Sequence, residues 1–260
     1  MWTLSGFADE ISPDLDEQVA LVTELGLRYI ELRSAWDVNI LDLDADQLRR
    51  VRDTLDDAGL GVSSIGSPIG KIAITDDNTP HLARMRHAAD VASFFGAPFI
   101  RMFSYFMPEG AEVDDYRDEV ISRLRDLATI AEAAGVTLIH ENEKEIFGDI
   151  PRRCLDIVES VNSPALKLTW DNANFVQCGV RPFTEGYAML SPHVAYLQVK
   201  DALLADGTVV PAGEGDGQFR ETIRAEFPQI QIVAEQFGMS DRAKARATAE
   251  NILAAHADVA

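Results

Sequence analysis

Four short apolar runs in this chain end on an oxygen-bearing side chain: TLIHE on Glu141, LKLTWD on Asp171, VAYLQ on Gln198 and IVAE on Glu235. Three carboxylates and one amide are hard oxygen donors, the kind of set that suits a divalent cation such as Mg²⁺ or Mn²⁺. In an extended run alternate residues face the same way. Thr137, Ile139 and Glu141 therefore share a side, as do Thr169 and Asp171, then Tyr196, Gln198 and Lys200, and then Val233, Glu235 and Phe237. All four donors have the same parity. If the runs are parallel neighbours in one sheet, the donors converge at one end of it. A carboxylate buried there is costly without a cation, a metal or a hydrogen-bond donor, and Arg101 or Lys200 could supply a purely structural partner for Glu141.

The elements that must hold these donors are marked by a recurring pattern of an acidic amphipathic helix, a glycine and a short β-rich run. It appears in TELGLRYIEL, DDAGLGVSSI, FFGAPFIRM and EAAGVTLIHE. Gly26, Gly59, Gly96 and Gly135 read as helix C-caps at the joints. With the first run from Thr3 and the later ones, eight strands begin near 3, 28, 61, 98, 136, 166, 194 and 230. The spacing fits βα units of roughly 30 residues. Ser12 is read as an N-cap with Pro13 at the first helical position, followed by LDEQVALVTEL at helical spacing. Further helices are expected at 44–58, 79–95, 113–134 and 240–257. Regular alternation calls for a parallel sheet, and eight near-equal repeats predict a single-domain (β/α)8 TIM barrel of the α/β class over residues 1–260. The turn after the first strand reads GFADEISPDL rather than G-x-G-x-x-G, which argues against a dinucleotide-binding sheet.

Composition limits the partners. Lys and Arg number 23 against 43 Asp and Glu, a net charge of −20 that repels nucleic-acid phosphates and anionic membranes. Hydrophobic residues make up 47% of the 260, enough for a substantial core, and no apolar run of about 18 residues could span a bilayer. Cys154 and Cys178 are too few for a disulfide framework, and MWTLSGFADE lacks signal-peptide character. A cytoplasmic protein is expected, with a small molecule as its partner.

In order along the chain, GFADEISPDL, SIGSPIGKI, IHENE, WDNANF, LQVKD and AEQF resemble the xylose isomerase-like barrels, the sugar isomerases and epimerases that also include an apurinic endonuclease branch. The resemblance covers essentially the whole chain. It implies one divalent metal held by Glu141, Asp171, the position of Gln198 and Glu235. Members more often carry histidine where Gln198 stands, and the resulting all-oxygen set favours Mn or Mg, with Zn or Co as further options. The resemblance also implies proton abstraction next to a carbonyl through an enediolate, with Glu141 and Glu235 as the proton-transfer pair on opposite faces of a keto or aldo sugar. Asn174, which stands where epimerases of this family often have histidine, could bond a sugar hydroxyl. Lys200, Arg101, Lys71 and Trp170 are the other candidate substrate contacts. A keto-polyol dehydratase or lyase on the same site, or a non-catalytic sugar-binding barrel, are the alternatives. The endonuclease branch is disfavoured, because its multi-zinc site is rich in histidine and this acidic chain has only five. Family resemblance also implies a dimer or tetramer. His140 has the opposite parity to Glu141 and is expected to face the helix layer, while PAGEGDGQF reads as a flexible turn or a substrate-covering segment.

Overall fold

The computed structural model describes residues 3–225 and 227 in full and residues 232–235 as strand backbone. The expected helix at 240–257 and the side chain of Glu235 lie outside the described residues. Eight parallel strands close into a barrel: β1 (Thr3–Gly6), β2 (Tyr29–Leu32), β3 (Gly61–Ile65), β4 (Phe99–Met102), β5 (Thr137–Glu141), β6 (Leu166–Asp171), β7 (Val194–Val199) and β8 (Ile232–Glu235). Each strand pairs with its neighbours in sequence. β8 returns to β1 through Thr3–Ile232 to Gly6–Glu235. Around them run α1 (Leu15–Glu24), α2 (Ala45–Asp57), α3 (Asn78–Phe95), α4 (Arg117–Ala134), α5 (Pro151–Val161), α6 (Asn172–Gln177), α7 (Pro182–Leu190) and α8 (Phe219–Arg224). Among the described residues no helix is long and apolar enough to cross a membrane.

The alternation of strand residues divides the interior in two. Ile30, Leu32, Val62, Ile100, Met102, Leu138 and Leu168 face outward and are buried together with helix residues such as Val22, Leu55, Ala92, Leu124 and Val158. Each large apolar side chain so buried contributes roughly 1.5–3 kcal/mol. A separate buried cluster fills the barrel, made of Phe7 just after β1 with Phe99, Ile139, Ala195 and Tyr196 from the strands. This apolar plug is the floor above which the inward-facing polar residues sit. Strand pairing shifts register between Ile30 and Glu31 and between Leu168 and Thr169, both next to residues of that polar layer.

Two expected boundaries change. Helix α1 is capped by Asp14, whose carboxylate accepts the Asp16 and Glu17 amides, while Ser12 instead accepts the Asp14 amide in the turn before it. A carboxylate directly before the first helical residues satisfies two orphan donors at once, which displaces the serine. Residues Val113–Tyr116 form a 3₁₀ turn, and α4 proper starts at Arg117. The four joint glycines all take the left-handed conformation, with φ of 72°, 66°, 65° and 70° in chain order.

Candidate active site

The C-terminal ends of the strands gather Glu141, Asp171 and Gln198, which are 4%, 0% and 0% exposed. Backbone register carries them round the barrel: Glu141 pairs with Thr169, Asp171 with Gln198, Gln198 with Ala234, and Glu235 with Val199 on one side and Gly6 on the other. A cavity of about 290 Å³ opens at this end beside Glu141, and its charged lining is Glu10, Arg33, Lys71, Arg101, Glu141, Glu143 and Lys200.

Glu141 is held from two directions. Arg101 Nη1 lies 3.2 Å from its Oε2, and Asn174 Nδ2 donates to its Oε1 at 3.0 Å. The Arg101 guanidinium is flanked by the Phe7 and Phe103 rings, 5.4 and 5.0 Å from their centroids, which limits the orientations open to it. Asn174 sits on α6, whose N-cap is Asp171: the Asp171 carboxylate accepts the Asn174 amide at 2.8 Å. The same asparagine accepts from Lys200 Nζ at 3.1 Å and donates to the Asn142 carbonyl at 2.9 Å. Asn142 in turn clamps the backbone of Asp171, donating to its carbonyl and accepting its amide, each at 3.0 Å. Strand ends β5 and β6 are thereby locked together.

Charge at this end is uneven. Burial, reinforced by the Glu141 charge, raises the Asp171 carboxyl to about 6, against the opposing pull of Lys200 and the Asn174 amide. Its Oδ2 has no hydrogen-bond donor among the described residues; Lys200 Nζ is 3.4 Å away. Burial pulls Lys200 down, but the charges of Asp171, Glu141 and Glu10 outweigh it and hold the ammonium above its ordinary value. Thr169 Oγ1 and Arg101 Nε are also buried without a partner among the described residues. No cluster of three or more His, Cys, Asp or Glu with metal-site geometry forms among the described residues. The donors nonetheless fit a hard divalent cation: oxygen only, with one buried carboxylate oxygen lacking a donor and carrying a raised pKa that a cation would bring down.

The sequence reading overlooked Glu31. It is 1% exposed on β2, and its oxygens lie 3.4 and 3.5 Å from Gln198 Nε2. Burial raises it to about 7, against the opposing effect of the Arg101 charge and of hydrogen bonds from Tyr196 and Gln198. Arg33 was also overlooked. It is fixed by Asp9 at 2.7 Å and projects to the cavity over Phe7. The signal for both was the alternation of Tyr29, Glu31 and Arg33 with Ile30 and Leu32.

Lys71 reaches the rim, where it pairs with Glu143 at 2.8 Å and lies 4.2 Å from the Phe103 ring centroid. Its loop is pinned by the Gly70 amide, which donates to His81 Nε2 at 2.8 Å; burial lowers His81 to about 4, leaving a neutral imidazole able to accept. His140 faces the helix layer as its parity requires, bonded to Ser104 at 2.9 Å. Trp170 is placed apart from the cavity. One residue out of phase with Asp171, it points to the helix layer and packs edge-on against Phe175 and Phe227, so its expected contact with substrate is corrected. PAGEGDGQF is anchored: the buried Asp201 carboxylate accepts the amides of Gly213, Gly215 and Gly217 at 2.8–3.0 Å, and a side chain at Gly215 or Gly217 would collide with it.

Similar proteins share this frame. Over 185 residues, 70% of this chain and 64% of the relative, it is 29% identical to a 2-epi-5-epi-valiolone 7-phosphate 2-epimerase of Actinoplanes sp.. Over 151 residues, 57% of this chain and 48% of the relative, it is 25% identical to a protein of Mycoplasma pneumoniae described as a probable L-ribulose-5-phosphate 3-epimerase. The matches thus span under two thirds of either relative. A crystal structure of a xylose isomerase-like TIM barrel protein from Mycobacterium smegmatis in complex with magnesium superposes with a TM-score of 0.76 at 21% identity, covering 100% of this chain and 97% of that one. The closed eight-stranded barrel and a family model matching residues 19–255 agree: the chain belongs to the xylose isomerase-like TIM barrel family.

Proposed function

We propose that this chain is a divalent-metal-dependent epimerase or isomerase of a sugar or sugar phosphate, acting by proton abstraction next to a carbonyl. The observation that carries the reading is the convergence of Glu141, Asp171 and Gln198 at one end of the barrel, beside a cavity that holds four cationic side chains in a protein of net charge −20. A relative named as an epimerase of 2-epi-5-epi-valiolone 7-phosphate and one named as a probable L-ribulose-5-phosphate 3-epimerase support a phosphorylated polyhydroxy ketone as substrate class, and the magnesium of a fold neighbour supports a hard cation.

Glu141, Asp171, Gln198 and Glu235 would hold the metal. When bound, it supplies polarisation of the carbonyl and neutralises the charge that develops on its oxygen. Glu141, kept in one orientation by Arg101 and Asn174, takes or returns the proton on one face of the substrate. Glu235, at the end of the neighbouring arc of strands, serves the other face. Lys200 stays charged and, tied to Asn174, presents an N–H donor to a substrate oxygen. Arg33 and Lys71 at the rim offer counter-charge to a phosphate.

Steady-state kinetics on L-ribulose 5-phosphate and related keto- and aldo-sugars with Mn²⁺ test the pair. Glu141→Gln and Glu235→Gln should each lower kcat by about 10²–10⁴-fold. Near-normal turnover by either variant removes that residue from the proton work.

A further inference from the structure

One buried carboxylate has no part in this proton-transfer scheme. Glu31 lies inside the barrel, across from β7, with both oxygens 3.4–3.5 Å from Gln198 Nε2. A carboxyl group keeps an accepting oxygen in either protonation state, and an amide has one donating and one accepting end, of which Gln198 turns the donating one toward Glu31. Glu31 therefore selects the nitrogen end of Gln198. It is itself held in place: Tyr196 bonds it, the Tyr196 hydroxyl is 3.0 Å from Ser63 Oγ, and Ser63 Oγ is 2.7 Å from Ser5 Oγ. The chain Ser5–Ser63–Tyr196–Glu31–Gln198 crosses the barrel interior from β1 to β7.

We propose that Glu31 is a positioning residue that turns the Gln198 amide so that its oxygen, and not its nitrogen, is presented to a divalent cation on the Glu141–Asp171 side. This rests on the metal reading above. Only the oxygen of an amide can ligate, so a glutamine is a dependable ligand only where something fixes which end faces the metal. A carboxylate behind the donor does for this amide what outer carboxylates do for metal-bound imidazoles, and removing such a partner typically weakens metal binding by about 10–100-fold. Position 198 is thereby wired for a side chain with N–H on one side and a donor atom on the other, which describes imidazole as well as amide.

Calorimetric titration of the metal-stripped full chain with Mn²⁺ tests this through a double-mutant cycle of Glu31→Gln, Gln198→Leu and both together. Glu31→Gln is expected to weaken Mn²⁺ binding about tenfold or more when Gln198 is present, and to have little effect when Leu replaces it. Near-UV circular dichroism of the metal-free proteins confirms that the fold is retained. If wild type binds Mn²⁺ and Glu31→Gln binds equally well, the positioning role is overturned while the metal reading stands. Equal losses in both backgrounds overturn it too, because Glu31 would then act as a general charge and not through Gln198. Gln198→Leu binding like wild type is equally contrary. Failure of wild type to bind Mn²⁺ at millimolar concentration sinks the metal reading and this inference with it. Should Glu31→Gln fail to fold, Gln198→His, which keeps Glu31, is expected to gain at least about tenfold in Zn²⁺ affinity over wild type; no gain overturns the proposal.

Discussion

Glu31 also makes a prediction for the metal-free protein. Burial raises its carboxyl from 4.5 to about 7, so the folded state holds a proton that the unfolded chain has released at neutral pH. A raised carboxyl contributes stability that is fully present below the unfolded value and lost as pH rises through the folded one. The difference of 2.5 units corresponds to about 3 kcal/mol at full ionisation. Glutamine has the shape of the protonated acid and no charge, so Glu31→Gln should match wild type in acid and exceed it in base. Solubility near the isoelectric point of about 4.5 restricts the accessible range. Of the total, roughly 1 kcal/mol has already accrued by about pH 5.5, which leaves about 2 kcal/mol to appear between there and about pH 8.5. Urea unfolding of both proteins in excess chelator at these two pH values measures it directly. The variant should gain on wild type by about 2 kcal/mol across that interval. A difference that does not change with pH, or a variant less stable than wild type in base, refutes the assignment of Glu31 as a carboxylate strained by burial.

Two further changes probe the frame of the site. Arg101→Met leaves Glu141 buried without its guanidinium, 3.2 Å away in the native protein, and should cost about 3–5 kcal/mol by urea unfolding at neutral pH. Asp201→Ala removes the acceptor of three glycine amides and should expose residues 213–217 to hydrogen exchange and proteolysis while the barrel strands stay protected; unchanged protection there would show that the loop is held by other contacts.

The barrel was legible because its signals are local. Period-two alternation located the inward residues of β5, β6 and β7, and glycine joints located the start of β2 through β5. The same alternation runs through Tyr29, Glu31 and Arg33, but a charged residue between single apolar neighbours has the same pattern whether it faces solvent or a buried site, and only the closed barrel buries Glu31. Asn142 could not have been found this way: its amide pairs with the backbone of Asp171, 29 positions on, a contact that exists only once β5 and β6 are neighbours. Trp170 shows the opposite error, in which closeness in sequence to Asp171 stood in for orientation although neighbouring strand residues face opposite ways. Helices α5 and α7 did carry a local mark, a proline at the first helical position in Pro151 and Pro182. Helices α6 and α8, six residues each, are too short for a periodic pattern to develop.

Solvent exchange tests the central claim most directly. Wild-type protein loaded with Mn²⁺ and incubated in D₂O with keto- and aldo-sugars and their phosphates should place deuterium on the carbon next to the carbonyl of at least one substrate, a reaction visible by NMR even where net turnover is slow. Exchange should disappear on chelation and fall by about 10²-fold or more in Glu141→Gln or Glu235→Gln. Deuterium incorporation that persists at the wild-type rate in both variants, or none with any substrate while Mn²⁺ is bound, would contradict proton abstraction at this site.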